Sequence, residues 1–263
     1  MKKILSLIIL SVLFFSCQKV IDINLNDSDP KTVIEAKLHE GENDFVVKIS
    51  ETINYFEPEK VPAIKDAKVS LIDGSGNATV LSNNNDGTYS IENYTAIANQ
   101  SYTLKVELAN GTVHTANSFM PKIIDVLDVL FIYEEATAFG AEGFVPYCVF
   151  QDPANEENFY RLILTVNGVA KDGLSDMFLF DDKLVAGNLI TIPLFSERLS
   201  LNDTVNMELV SMDKKTYVYL TTLQQTLNSG NSAAPANPNT NLSGDVLGYF
   251  GAFSSSSQTK IVE

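Results

Sequence analysis

From about Lys31 to Met120 the apolar residues recur at every second position, and this spacing constrains the fold more than any other feature of the chain. Ile34, Ala36 and Leu38 alternate with Glu35 and Lys37. Phe45, Val47 and Ile49 alternate with Val46, Lys48 and Ser50. Val69 and Leu71 alternate with Lys68 and Ser70, and Tyr102, Leu104, Val106 and Leu108 alternate with Thr103, Lys105 and Glu107. Successive side chains of a strand point to opposite faces, so these runs read as half-buried strands. Turn-forming residues separate them: Asp73-Gly74-Ser75-Gly76-Asn77, Asn83 to Gly87, and Asn110-Gly111. Short strands with tight turns and no helical stretch predict an antiparallel β-sandwich over residues 31–120.

Pro121 marks a boundary, and residues 121–263 read as a second, β-rich domain. It opens with Lys122 to Tyr133, apolar on both faces, as expected of a strand buried on both sides or lying between two domains. Further strands are expected at 146–150, 159–166, 176–180, 189–193 and 204–210. In the second of these, Tyr160, Leu162, Leu164 and Val166 share one face, and Arg161, Ile163 and Thr165 the other. One helix is predicted over about 213–228, capped by Asp213 or Ser211 and stopped by Gly230, with Tyr217, Leu220, Leu223, Gln224 and Leu227 as its packed stripe. Residues 228–244 are rich in Asn, Ser, Ala and Pro and read as a long loop. A last strand is expected from Val246 to Phe253. The fold class is mainly β: an N-terminal antiparallel β-sandwich followed by a second β-rich domain with one packed α-helix.

The N-terminus specifies a location. Met1-Lys2-Lys3 is basic, Ile4 to Phe15 carries no charge, and Ser16-Cys17 follows. An apolar run of 12 residues is too short to span a bilayer, which takes about 20. The order of these parts resembles the lipobox of bacterial lipoproteins. That resemblance implies a signal peptide over 1–16, diacylation of Cys17 as the first mature residue, and a tether over 17–30 that reaches at most ~40 Å. The other reading is an ordinary secretory signal that contains a cysteine. Gln18-Lys19 followed by Asp22 resembles the surface-export signals of Bacteroidota lipoproteins, which implies the outer membrane and leaves its periplasmic and surface faces both open.

Composition and motifs narrow the function classes. The formal charge of −15 becomes −17 once Lys2 and Lys3 are removed, and such a surface repels phosphate backbones, so nucleic acid is not an expected partner. If Cys17 carries lipid, Cys148 has no disulfide partner. Within Tyr147-Cys148-Val149-Phe150 it reads as a buried small hydrophobe; a nucleophile would need His39 or His114 beside it. Gly-x-Ser-x-Gly, His-Glu-x-x-His and Gly-x-x-x-x-Gly-Lys do not occur. No catalytic, metal or cofactor residues are therefore expected, and the chain is not expected to be an enzyme. Weaker signals are weighed against plainer ones. Asp73 to Asn77 begins like a calcium loop but has Ala78 and Asn84 where that loop needs Gly and Glu, so a hairpin turn is expected. Asp181-Asp182 reads as a turn rather than a paired-carboxylate site, and His114 as a residue on a sheet face. Glu134, Glu135 and Asp152 are the carboxylates that a hydrolase reading would use.

Two further resemblances concern the fold. Asp86-Gly87-Thr88-Tyr89-Ser90-Ile91 followed by Tyr102-Thr103-Leu104-Lys105-Val106 resembles transthyretin-like or immunoglobulin-like sandwich domains. Over nearly the whole mature chain, four features follow one another: the lipobox with Val20-Ile21-Asp22-Ile23, the Gly-x-Tyr sandwich, Asn202-Asp203-Thr204-Val205 leading through Glu208-Leu209 to Tyr217-Val218-Tyr219-Leu220, and Leu247-Gly248-Tyr249-Phe250-Gly251-Ala252-Phe253. This order resembles the Bacteroidota lipoproteins grouped as domain-of-unknown-function family 4249. Asn239-Thr240-Asn241-Leu242 departs from the loop common in that family. Members are typically encoded beside TonB-dependent outer-membrane receptors. The resemblance thus implies a lipid-anchored outer-membrane binding protein, an accessory subunit of such a receptor in nutrient uptake, with its ligand open. The alternative is a structural or assembly lipoprotein of the cell envelope.

Overall fold

The computed structural model describes residues 29–53, 61–136, 141–174, 177–229 and 236–263. Cys17, with the whole of 1–28, lies outside the described residues, as do Asp176 and Gly230. The strands are β1 (Thr32–His39), β2 (Gly41–Glu51), β3 (Lys68–Ile72), β4 (Ala78–Val80), β5 (Ser82–Asn83), β6 (Thr88–Ala96), β7 (Gln100–Glu107) and β8 (Val113–Met120) in the first block. The second block holds β9 (Val126–Glu134), β10 (Gly143–Gln151), β11 (Phe159–Val166), β12 (Val169–Lys171), β13 (Phe178–Asp181), β14 (Leu189–Pro193), β15 (Thr204–Met212), the helix α1 (Lys214–Asn228) and β16 (Leu247–Ile261). The chain is mainly β, as the alternation predicts.

One sheet runs through both blocks. Its order is β12-β11-β15-β16-β1-β2-β6-β5, with β13 also paired to β11. β16 is the joint: Leu247 to Phe253 pair in parallel with Val33 to His39, and Ser254 to Ile261 pair antiparallel with β15. The parallel contact brings together the first and last strands of the described chain. On one face of this sheet lie two smaller sheets, β4-β3-β7-β8 over the first block and β14-β10-β9 over the second. The first sandwich core holds Ile34, Phe45, Ile49, Val69, Leu104 and Phe250. The second holds Val129, Phe150, Tyr160, Leu162, Met207 and Leu209. On the opposite face of the large sheet α1 covers Phe159, Ile163, Val210, Tyr249 and Phe253. The two faces of β11 therefore divide as the alternation predicts, with Tyr160, Leu162 and Leu164 in one core and Phe159 and Ile163 in the other.

The Gly-x-Tyr and Tyr-x-Leu-x-Val segments each bury a tyrosine whose hydroxyl bonds to the backbone. Tyr89 is 1% exposed; its hydroxyl donates to the Ile64 carbonyl and accepts from the Ala67 N–H, both at 3.0 Å. Tyr102 is fully buried and closes the turn before β7 by bonding both the N–H and the carbonyl of Ile97. A buried hydroxyl without such partners would lose its hydration uncompensated, so these turns are fixed by the tyrosines.

The outer edge of β16 shows why the polar loop before it is ordered there. Residues 248, 250 and 252 turn their backbone groups away from β1. Thr240 Oγ1 donates to the Gly248 carbonyl at 2.6 Å. The Asn241 amide gives Nδ2–H to the Phe250 carbonyl and accepts the Phe250 N–H, at 2.6 and 3.1 Å. The Ala252 N–H donates to Ser118 Oγ at 3.0 Å, and from Ser254 onward β15 takes over. Four backbone groups on this stretch of edge are thus matched before the next strand begins.

Three expectations are corrected. The last strand does not stop at Phe253 but runs to Ile261 through Ser254-Ser255-Ser256-Ser257. Those serines have no apolar period, and they serve the connector between the blocks: Ser254 Oγ donates to the Lys122 carbonyl at 3.2 Å, and Ser256 Oγ donates to the Ile124 carbonyl and accepts the Val126 N–H, both at 2.7 Å. The segment apolar on both faces is not buried on both; Lys122 to Asp125 is connector, and β9 is the outer strand of its three-stranded sheet, with Leu130 39% and Ile132 47% exposed. The helix packs on Thr216, Tyr219 and Leu220, with Tyr217 and Leu223 beside them, whereas Leu227 is exposed. Two contacts set that rotation: Asp213 fixes the first turn, and Tyr219 stacks on Tyr249 with ring centroids 4.3 Å apart.

Candidate functional site

The blocks meet at Asp213. Its Oδ1 accepts the Thr216 N–H at 2.8 Å and caps α1, while its Oδ2 accepts Ser118 Oγ–H at 2.9 Å and the Phe119 N–H at 2.8 Å. Because Ser118 also accepts the Ala252 N–H, one hydrogen-bonded chain joins β16, β8 and the helix N-terminus. Ser118 and Thr216 are fully buried. Of the two caps the sequence offers, Asp213 and Ser211, the helix uses Asp213; the link from Asp213 to β8, across 95 residues of sequence, has no local signal.

Beside this junction a cleft of about 440 Å³ opens between Phe119, Pro121, the β10–β11 loop and the start of α1. Its rim carries Lys122 paired with Glu156 at 3.3 Å and Lys214 paired with Glu157 at 2.9 Å, and the Lys214 ammonium also lies 5.9 Å from the Phe159 ring centroid. These pairs are exposed and contribute little to stability. They leave the cleft with an aromatic wall, two lysines against the three carboxylates of Glu156, Glu157 and Asp213, and Asn158 at its edge, a surface suited to a small polar ligand or a peptide side chain. Ser211 lines the same cleft, and its buried hydroxyl has no partner among the described residues.

The residues singled out in the sequence lie apart. Cys148 is fully buried in the second core, and burial pushes its thiol up to about 12. A thiol held neutral in this way is a poor nucleophile. Cys148 is therefore expected to resist a water-soluble disulfide reagent in the native protein and to react stoichiometrically in urea; native reaction within minutes would contradict its placement. His39 stacks on Phe253, with centroids 5.4 Å apart, and His114 is buried with Nδ1 2.8 Å from the Ser243 carbonyl. His114 thus holds the 243–244 turn against β8. The Asp73 carboxylate accepts the N–H groups of Ser75 and Asn77, both at 2.9 Å, within the turn between β3 and β4, as the hairpin reading expects. Asp181 pairs with Lys183 at 2.9 Å, whereas Asp182 turns inward to accept the Asn158 N–H and side-chain amide, both at 3.0 Å. Asp152, 1% exposed, accepts the Tyr160 hydroxyl at 2.6 Å and the Gly187 N–H at 2.8 Å. Glu134 instead pairs with Arg198 at 3.2 Å, so Glu134 and Asp152 have separate structural partners, while Glu135 lies exposed just after β9. Among the described residues no group of His, Cys, Asp or Glu is arranged to hold a metal.

The fold of the described residues defines a class of protein built on a single large sheet, with two smaller sheets on one face and a helix on the other. The chain belongs to the family described as Domain of unknown function (DUF4249), whose model matches residues 18–259. No curated protein matches it. Among solved structures it is similar to a two-domain fibronectin type-III segment of chicken tenascin, at 13% identity over 70% of this chain and 91% of that one, with a TM-score of 0.24. It is also similar to the chicken interferon gamma receptor alpha chain, at 9% identity over 70% and 89%, with a TM-score of 0.21.

Proposed function

We propose that the protein is a lipid-anchored binding protein of the outer membrane, an accessory subunit of a TonB-dependent receptor in nutrient uptake. The observation that carries this reading is the course of β16. The described chain enters at Asp29 and Lys31, beside the start of β1, and Leu247 of β16 lies level with Val33. β16 keeps pace with β1 to Phe253 and then continues for eight paired residues, about 26 Å, carrying the second block with it. A tether on Cys17 would hold the β1 end toward the membrane and present the second block, with the junction cleft at its base, away from it. Such an arrangement suits recognition at a distance from the bilayer.

Two measurements test the reading. Cys17→Ala is expected to abolish incorporation of labelled palmitate and to move the protein from the membrane to the soluble fraction; retained labelling would sink the anchor. The tagged chain, recovered from detergent-solubilised outer membranes, is expected to bring down a TonB-dependent barrel in stoichiometric amount, identified by mass spectrometry. Recovery of the lipoprotein alone, in a detergent that preserves known receptor complexes, would favour a structural envelope protein instead.

A further inference from the structure

We propose that the outer edge of β9 takes up an extended strand from a different polypeptide, one whose apolar residues are flanked by lysine or arginine. The proposal deepens the binding reading, since it names the partner's chemistry, and it starts from the backbone. Phe144 of β10, opposite Tyr133, exchanges both of its backbone hydrogen bonds with Leu199 on the far side, at 3.0 and 2.9 Å. Antiparallel ladders alternate, so Tyr133, Phe131 and Val129 turn their N–H and carbonyl groups outward, away from β10. The Val129 N–H is taken by the Asp128 carboxylate at 2.8 Å. The groups of Phe131 and Tyr133 face no strand among the described residues. Nearer the start of β9 the edge is closed, because Ser256 bonds the Val126 N–H and Lys260 bonds Asp128. The open part is therefore Leu130 to Glu134.

Edges of this kind normally carry lysine, proline or a bulge that prevents pairing. Val129-Leu130-Phe131-Ile132-Tyr133 carries neither lysine nor proline, and its register with β10 is regular. Leu130, Ile132 and Tyr133 remain 39%, 47% and 52% exposed. An apolar strand with unpaired backbone groups is the receiving half of a β-augmentation contact, in which the ladder gives affinity and alternate side chains give specificity. Charge chooses the occupant. Glu142 and, after it, Glu135 lie close enough to Tyr133 for their charges to push its phenol pKa up, whereas Glu134 and Asp128 are already matched by Arg198 and Lys260, so the unmatched charge at the open end is negative. A second copy of this chain would bring the same acids and a mature charge of −17 to the contact. A strand with basic flanks meets them with opposite charge.

The test uses the full chain in cells, with Ile132→p-benzoylphenylalanine as a photo-crosslinker and the adduct mapped by mass spectrometry. The expected adduct is a segment of another protein with alternating apolar residues and Lys or Arg beside them. Tyr133→Pro removes an outward N–H, which an edge strand tolerates, and is expected to reduce the adduct at least about tenfold while Tyr133→Phe leaves it intact. Leu130→Lys is the second variant, expected to give the same loss by repelling the basic flanks without changing the ladder. An adduct with a second copy, with lipid or with an acid-flanked segment, no adduct at all, or one that neither variant weakens, overturns the proposal. Recovery of a receptor without a crosslink at residue 132 would overturn this proposal alone. A basic-flanked adduct without a receptor would support it and overturn only the accessory-subunit reading.

Discussion

Replacing Gly248 with alanine is expected to destabilise the protein by at least about 4 kcal/mol, enough to lower Tm by roughly 10 °C. Gly248 has φ +91°, and a Cβ built there would lie 2.0 Å from the Ile34 carbonyl oxygen and 2.8 Å from its carbon. Both are backbone atoms of β1, held by pairing on either side, so neither a rotamer change nor a small local shift relieves the contact. The left-handed conformation adds its own penalty for any residue with a side chain. Gly76→Ala supplies the control, because Gly76 has a similar φ, +86°, and nothing within 4 Å of its added Cβ. That variant is expected to lose only about 1 kcal/mol, the conformational share. Equilibrium urea unfolding of the two variants separates the terms; equal losses would mean that β16 does not approach β1 as closely as the parallel pairing requires.

Asp213→Ala is expected to lose about 3 kcal/mol, roughly 1 from the helix cap and the rest from the Phe119 N–H and Ser118 hydroxyl left without an acceptor. Asp213→Asn discriminates the two roles. The amide oxygen can still cap Thr216, but the NH₂ group then faces two donors where Oδ2 accepted both. The asparagine variant should therefore keep most of the alanine variant's loss. Near-native stability of Asp213→Asn in urea would show that the cap dominates and that the link to β8 contributes little. Leu227→Ala, on the exposed side of α1, should change stability by less than about 0.5 kcal/mol.

Local chemistry made some elements legible and left others silent. The start of α1 could be narrowed to Ser211 or Asp213, because both have a side chain that a helix N-terminus needs, but its packed face could not be placed. Tyr217, Leu220, Leu223 and Leu227 fit a helical stripe as well as Thr216, Tyr219, Leu220 and Leu223 do; only the stacking of Tyr219 on Tyr249 and the anchorage of Asp213 on β8 choose between them. β9 was visible as an apolar strand, yet its sequence does not say whether protein or solvent meets its second face. The junction cleft had no signal, since Phe119, Lys122, Glu156 and Lys214 come from separate parts of the chain and none is unusual where it stands.

The sequence by itself determined the class of fold, the alternating strands β1, β2, β3 and β7 and the Gly- and Asn-rich turns of the first block, the faces of β11 and, to within two candidates, the cap of the helix. Each depends on residues a few positions apart, whose alternation or side-chain chemistry is decisive locally. Only the tertiary structure decided that one sheet joins the two blocks. The pairing of Val33 with Leu247 links residues at opposite ends of the described chain, and the strand that carries it continues through four serines with no apolar period. Those serines are held by backbone pairing on β15 and by hydrogen bonds to the connector, interactions open to any polar run of the right length, which the fold alone assigns to this one.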